Sequence, residues 1–461
     1  MVKYRYGNGS AFLVAVSLVL GLMSGAVWAA GDWKLGLEKG QQQPAQSAAE
    51  VELFSVAGSN TVGEKLAPAL IVGFLKARGF SDVTVVSTNV AHRNKVTARL
   101  QGGARPIKVT VPVAAKGSST GFKGLLSGSA DLGASSRPIK GEEVASLMSL
   151  GDMRSIENEH IIAIDGLAII VHPENPLTQL PLQIIQNIFS GKVSNWSQVG
   201  GQKGAIQLHA RDDNSGTYDT FKRLVLNGAA LSRRAKRYES NDDLAAMVQT
   251  DTNAIGFVAL PSVGAAKPLA VSDGVATPLS PSELTVATED YPLSRRLYFY
   301  SAAAAERKPV VHDFLDYVHS NAGQAIVDQT GYVAQSLYSL SLPSADSRLS
   351  GLLRLNLNIR FQDGSSALDN KSKMDVQRLV DFLARPDHQN SQVTLLGFSN
   401  PVTGASQASL SRLRAQNVRW ALRTAGIRHK VSALAGNALV VSDPLSPNAN
   451  RNRRVEIWIQ E

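Results

Sequence analysis

Between Val51 and about Leu342, short apolar runs alternate with amphipathic segments: residues 52–56 precede 62–77, and 161–172 precede 182–189. A short unbroken apolar run fits a strand covered on both faces, and an apolar period of 3.6 fits the helix that covers it. The alternation therefore predicts an α/β architecture with largely parallel sheets. Residues 92–116 hold two strand-like runs around Gly102-Gly103 and predict an inserted hairpin. At 353–361 the period becomes two: Leu353, Leu355, Leu357, Ile359 and Phe361 alternate with Arg354, Asn356, Asn358 and Arg360, the pattern of a half-buried strand. A second domain starts there, after a Ser/Pro-containing connector. Further on, the pattern predicts a strand at 393–398 and a helix with Leu410, Leu413, Asn417, Ala421 and Leu422 on one face, capped at Gly426. A last strand turns Val455, Ile457 and Ile459 one way.

At the N-terminus, Lys3 and Arg5 precede an uncharged run over 11–30 that closes on Val27-Trp28-Ala29-Ala30. These are the three parts of a secretory signal, with the cut expected after Ala29. Gly21, Ser24 and Gly25 interrupt the run, which disfavours an uncleaved membrane anchor. Residues 30–50 are Gln/Ala/Pro-rich without apolar period and read as a flexible linker.

A chain of 461 residues has room for two to four domains at roughly 100 to 200 residues each. With 44% hydrophobic and 18% charged residues, it is too apolar for a disordered chain and too polar for a polytopic membrane protein. The absence of cysteine excludes disulfides, thiolate metal sites, a cysteine nucleophile and an acylated lipoprotein anchor. Of the net charge of +9, +7 lies from Gly351 onward, where 15 Lys and Arg face 8 Asp and Glu. The basic residues there lack interleaved aromatics, which argues against nucleic acid. No paired-histidine metal pattern, G-x-S-x-G elbow or Walker A loop occurs, so the sequence predicts neither an enzyme nor a cofactor or metal.

Three Gly/Ser/Thr segments, at 58–61, 117–121 and 215–217, each stand before a helical pattern. Unpaired backbone N–H groups at a helix start, joined by hydroxyls, can enclose an oxyanion. Arg211, four residues before Ser215, would add a full charge and a planar fork of donors. Each segment alone has a plainer reading, since Ser and Thr are ordinary helix caps and Thr61 with Glu64 forms a Thr-x-x-Glu capping box.

The stretches "AGSNTVGEKL", "GSSTGFKGLLSGSADLGASSRPI", "RDDNSGTYDTF", "YPLSRRLYFY" and "HDFLDYVHSNAGQAIVDQTGYV" follow one another over about 51–340. In this order they resemble the periplasmic phosphate-binding proteins of bacterial phosphate ABC transporters. The resemblance implies a two-lobe, type II-like periplasmic binding fold with hinge strands, closing over an anion. By motif position it implies anion contacts from Thr61, Val62, Ser118, Arg211, Ser215, Gly216 and Thr217. In that family an aspartate after the "GAS" turn accepts the proton of monohydrogen phosphate. Here the position is Ser136, which can donate to phosphate and sulfate alike and weakens discrimination between them. Asp212 or Asp213 would be substitute acceptors, unless they orient Arg211.

"LSRLRAQNV" and "NRRVEI" give residues 351–461 a resemblance to the OmpA-like peptidoglycan-associated domain, implying an α+β domain of βαβαββ order. In that family an aspartate and an arginine grip diaminopimelate. Arg414 matches the arginine, while Asn400 stands where the aspartate belongs. The plainer reading of Arg412, Arg414, Arg419, Arg423 and Arg428 is a solvated helix face.

The expected organisation is a signal peptide at 1–29, a linker at 30–50, a two-lobe domain at 51–342, a linker at 343–350 and an OmpA-like domain at 351–461. The expected function is a Gram-negative periplasmic solute-binding protein for phosphate or a related tetrahedral oxyanion. Its partners would be the anion, an ABC permease and the peptidoglycan that holds it near the cell wall. The alternative is a structural or adhesion protein of the cell envelope with degenerate ligand sites.

Overall fold

The computed structural model describes residues 50–101, 106–213, 215–344, 346–362, 365, 367–400 and 407–460, with 33, 34 and 37. The expected signal segment, most of the first linker and the Gly102-Gly103 turn lie outside the described residues.

Two long strands run through the middle of one large sheet. Glu159–Val171 pairs antiparallel with Ser294–Tyr300 on one side and with Ala254–Ala259 on the other. Beyond Ser294–Tyr300 lie, in spatial order, Leu132–Ser135, Val56–Gly58, Ile107–Ala115, Arg93–Leu100 and Ser81–Ser87, which make the first lobe. Beyond Ala254–Ala259 lie Gln207–Arg211 and Lys236–Tyr238, which belong to the second. The two long strands are thus the hinge between lobes.

The sheet is mixed, not largely parallel. Pairing is parallel where Val56–Gly58 and Gln207–Arg211 meet their neighbours and antiparallel at the hinge and in the hairpin. A chain that crosses from one lobe to the other and returns must run antiparallel to itself, and an apolar run does not encode direction. The expected hairpin forms, but it is no insertion: Ile107–Ala115 is the strand against which Val56–Gly58 pairs, and its Val109 and Val111 are buried.

The second domain has the βαβαββ order Leu353–Arg360, Asn370–Leu383, Gln392–Gly397, Gln407–Thr424, Val431–Ala435 and Arg454–Gln460. The connector takes part in it, since Ser339–Ser341 adds an edge strand to Leu353–Arg360 and Leu349 is buried. The helix Gln407–Thr424 buries Ser411, Ala415, Val418 and Leu422, a face rotated from the expected one, and leaves Leu413 exposed. Small residues face the sheet because Gly397 lies against the Ser411 backbone, too close for any Cβ. The strand expected to be half-buried is buried on both faces, including Arg354, Asn356, Asn358 and Arg360. Two of these, Asn358 and Arg360, hydrogen-bond the second-lobe segment Thr288–Asp290.

His160 and His319 pack with ring centroids 6.0 Å apart. Burial, with their mutual repulsion at His160, pulls the pKa of His160 down to about 3, and burial pulls that of His319 down to about 4. Unfolded histidine takes up its proton near pH 6.5, so below that pH the unfolded chain binds more protons than the folded one. Stability should therefore fall as pH drops from 6.5 towards 4, by up to roughly 1.4 kcal/mol per histidine per pH unit. Urea unfolding at pH 7, 6 and 5 should show this decline, and His160→Gln with His319→Gln should flatten it. An unchanged slope in the double variant would assign the decline to other groups.

Candidate functional site

The three expected segments converge between the lobes. Ser59, Thr61, Ser118, Ser136, Arg211, Ser215 and Thr217 are all buried there. Ser118 Oγ lies 3.5 Å from Ser136 Oγ and accepts the Ser136 N–H at 3.2 Å. Gly216 closes the group, since a Cβ there would sit 2.6 Å from Ser118 Oγ and closer still to Ser136 Oγ. Thr61 Oγ1 stands 3.1 Å from Thr217 Oγ1. Val62 is buried at the start of the following helical turn.

The plainer cap reading fails for Thr61 and holds for Ser215. Thr61 already has helical dihedrals and makes no side-chain cap bond, because the helix starts at Asn60, two residues earlier than the Thr-x-x-Glu pattern implies. Ser215 Oγ does cap its helix, accepting from the Thr217 and Tyr218 N–H groups.

Arg211 is fully buried at the end of its strand. Its Nε donates to Tyr238 O at 3.2 Å and its Nη2 to Glu239 O, leaving Nη1 buried without a partner among the described residues. Burial lowers its pKa, and the nearby Glu64 and Asp212 carboxylates oppose that shift. The same burial raises the pKa of Glu64, against the pull of Asn60 and Arg211. Asp213 does not reach the site: its side chain is 83% exposed and pairs with Arg237 at 2.8 Å. Arg137, beside Ser136, is bound bidentately by Glu143 at 2.7 and 2.8 Å and tied to Asp219 at 3.3 Å.

Sequence reasoning gave no role to Arg295 and Asp165. Arg295 Nη2 donates to Thr217 Oγ1 at 3.0 Å and Thr61 Oγ1 at 3.3 Å, joining hydroxyls from both lobes. Asp165 Oδ2 takes Nε and Nη2 of Arg295 at 2.8 and 2.6 Å, and both side chains are buried. A signal existed, since Asp165 stands alone in an apolar run and a buried charge needs a partner. Among the described residues, Arg295 Nη1 and Ser59 Oγ, like Arg211 Nη1, are buried without a hydrogen-bond partner. Three orphan donor groups among hydroxyls and two guanidinium ions make a place suited to a compact, multiply charged oxyanion.

In the second domain, Asn400 Oδ1 accepts from Asn452 Nδ2 at 2.8 Å. Arg414 Nη1 donates to Phe398 O at 2.9 Å, and its guanidinium lies over the Phe361 ring. Residues 401–406, which lie between them in the sequence, are outside the described residues.

The profile of the PBP superfamily domain matches residues 44–322, and that of the OmpA family matches 360–456. Protein SphX of Synechococcus elongatus is 31% identical over 268 residues, which is 56% of this chain and 76% of that protein. The phosphate-binding protein PstS of Bacillus subtilis is 30% identical over 225 residues, or 48% of this chain and 70% of that protein. A solved phosphate-bound structure of a putative phosphate ABC transporter substrate-binding protein from Clostridium perfringens aligns with 26% identity and a TM-score of 0.47. It covers 61% of this chain and 98% of that one.

Asp165→Asn keeps the shape of the buried pair but strands the Arg295 charge, a change that costs about 3 to 5 kcal/mol. Denaturant unfolding should register that loss, and adding Arg295→Gln should recover part of it because neither charge is then left alone. A single variant as stable as the parent would show that the pair does not hold the hinge.

Proposed function

This chain belongs to the PBP superfamily and carries an OmpA family domain behind it, and from that premise we propose that it is an exported receptor for phosphate or a similar tetrahedral oxyanion. The observation that carries the reading is the set of buried donors on Ser59, Arg211 and Arg295 that have no partner among the described residues, ringed by the hydroxyls of Thr61, Ser118, Ser136 and Thr217. The family is one of solute-binding proteins, and phosphate is the ligand named for PstS of Bacillus subtilis. Thr61, Val62, Ser118, Ser136, Arg211, Ser215, Gly216 and Thr217 form the proposed site, and Arg295 joins them. Its two guanidinium ions supply charge and its hydroxyls fix orientation, while Asp165 neutralises one of the two positive charges.

The domains at 51–342 and 351–461 divide the work between the anion and the cell wall. The N-terminal segment, cut after Ala29, would export the chain to the periplasm, where an ABC permease would receive the anion. The OmpA domain would hold the receptor at the wall through peptidoglycan, with Arg414 taking the stem-peptide carboxylate. No observation favours the alternative of a ligand-free scaffold.

Calorimetric titration with phosphate should give a saturable heat. Arg211→Ala, checked for a cooperative melt, should weaken binding by about 2 to 4 kcal/mol, which is roughly 30-fold or more. Sulfate should compete measurably, because the Ser136 hydroxyl demands no proton from the anion. Absence of any saturable anion heat would overturn the reading, and an unchanged affinity in Arg211→Ala would remove Arg211 from the site.

The wall-binding half makes a separate prediction. Asn400 offers an ammonium ion only a neutral carbonyl, so the protein should bind purified peptidoglycan weakly. Asn400→Asp should strengthen it by about 1 to 3 kcal/mol, with a gain that shrinks as salt rises. A folded Asn400→Asp protein with no gain in sedimentation with peptidoglycan would show that the inherited grip is not in use.

A further inference from the structure

The OmpA domain touches the receptor at three places that hinge motion would displace relative to one another. On the second lobe, Asn358 Nδ2 and Arg360 Nη2 donate to Thr288 O, each at 2.9 Å, and Asp273 accepts from Ser446 Oγ at 2.6 Å and Asn448 Nδ2 at 3.0 Å. On the hinge strand Ser294–Tyr300, Arg296 pairs with Asp369 at 2.8 Å and Arg451 Nη2 donates to Ser294 O at 2.8 Å. At the first-lobe end, Asn370 Nδ2 donates to Arg154 O at 2.9 Å and to Glu159 Oε1 at 3.2 Å. Asp369 and Asn370 are consecutive at the start of one helix, where Asp369 also caps the Ser372 N–H at 2.8 Å. The two grips therefore move as one body.

This docking coexists with a shut cleft. Across the other side of the hinge the lobes meet through Lys65 and Asp242 at 2.6 Å, His92 and Glu239 at 2.7 Å, and Thr61 and Thr217. The hinge strand connects the two sides through adjacent residues, since strand alternation sends Arg295 to the anion site and Arg296 to Glu289 and Asp369.

We infer that the OmpA domain is a splint across the hinge, and that Asn370 and Arg296 are positioning residues for the anion site. A rigid domain bonded to both lobes is strained by any rotation between them, so its contacts favour the inter-lobe angle at which they all form. Because the cleft is shut at that angle, docking raises anion affinity and slows release. By linkage, a bound anion tightens docking by the same factor. The domain that meets the wall is thereby part of the receptor's affinity. The affinity arm of this inference rests on the anion-binding reading proposed above; the geometric arm does not.

The test uses the full chain, which has no native cysteine to interfere with labelling. Lys123→Cys and Lys203→Cys put spin labels on exposed positions, one in each lobe. Asn370→Asp sets a second carboxylate against Glu159, and Asn370→Ala is the milder variant should the first not fold. Pulsed dipolar spectroscopy should give one narrow inter-lobe distance in the parent and a broader or longer distribution in either variant, without any anion present. Asn370→Gln, which keeps the amide, should restore much of the parent distribution. In parallel, the phosphate dissociation constant should rise about fivefold or more, with faster release. An unchanged distance distribution in a folded Asn370→Asp protein overturns the splint, whatever the affinity does. A changed distribution in a protein that binds no phosphate supports the splint and removes the phosphate reading instead.

Discussion

The ion pair between Arg295 and Asp165 lies where the two hinge strands run side by side, and both partners are out of contact with water. Burying two charges is costly, and the cost is offset only if geometry and further hydrogen bonds are good. Here one carboxylate oxygen holds the Nε–Nη2 edge of the guanidinium, while Nη2 also reaches Thr61 and Thr217 from opposite lobes and Nη1 is buried without a partner among the described residues. The pair ties the hinge strands together and fixes a cation in the proposed anion site. Without Asp165 the cation would be unsupported, and without Arg295 the hydroxyls of the two lobes would have no common donor.

Much of this was legible in the sequence, and what escaped has identifiable causes. Apolar runs gave the strands, and Gly/Ser/Thr segments before helices gave most of the candidate site, because those signals lie within a few residues of each other. The Arg295–Asp165 pair spans 130 residues, and only the oddity of Asp165 alone in an apolar run marks it. Strand direction was misjudged because hydrophobicity does not encode it. Thr61 matched a cap pattern yet does not cap, since the helix starts at Asn60 and the threonine hydroxyl accepts from Arg295 instead.

The surplus of basic residues in the last domain also takes on a different meaning. Arg354, Arg360 and Arg454 are buried, and Arg360 and Arg451 serve the contact with the receptor by meeting carbonyls and carboxylates near Glu289. Alternation along 353–361 identified a two-faced strand correctly, but a polar face can be covered by another domain when that domain supplies acceptors. A period of two distinguishes apolar from polar faces, not dry from wet ones.

On the proposed reading, an oxyanion sits among Arg211, Arg295 and the Ser118–Ser136 pair. Diffraction from crystals grown with arsenate, a tetrahedral analogue with a strong anomalous signal, tests it most directly. The account predicts one dominant anomalous peak within hydrogen-bonding distance of Arg211 Nη1 and Arg295 Nη1. A fully occupied peak elsewhere with none between the lobes would contradict it.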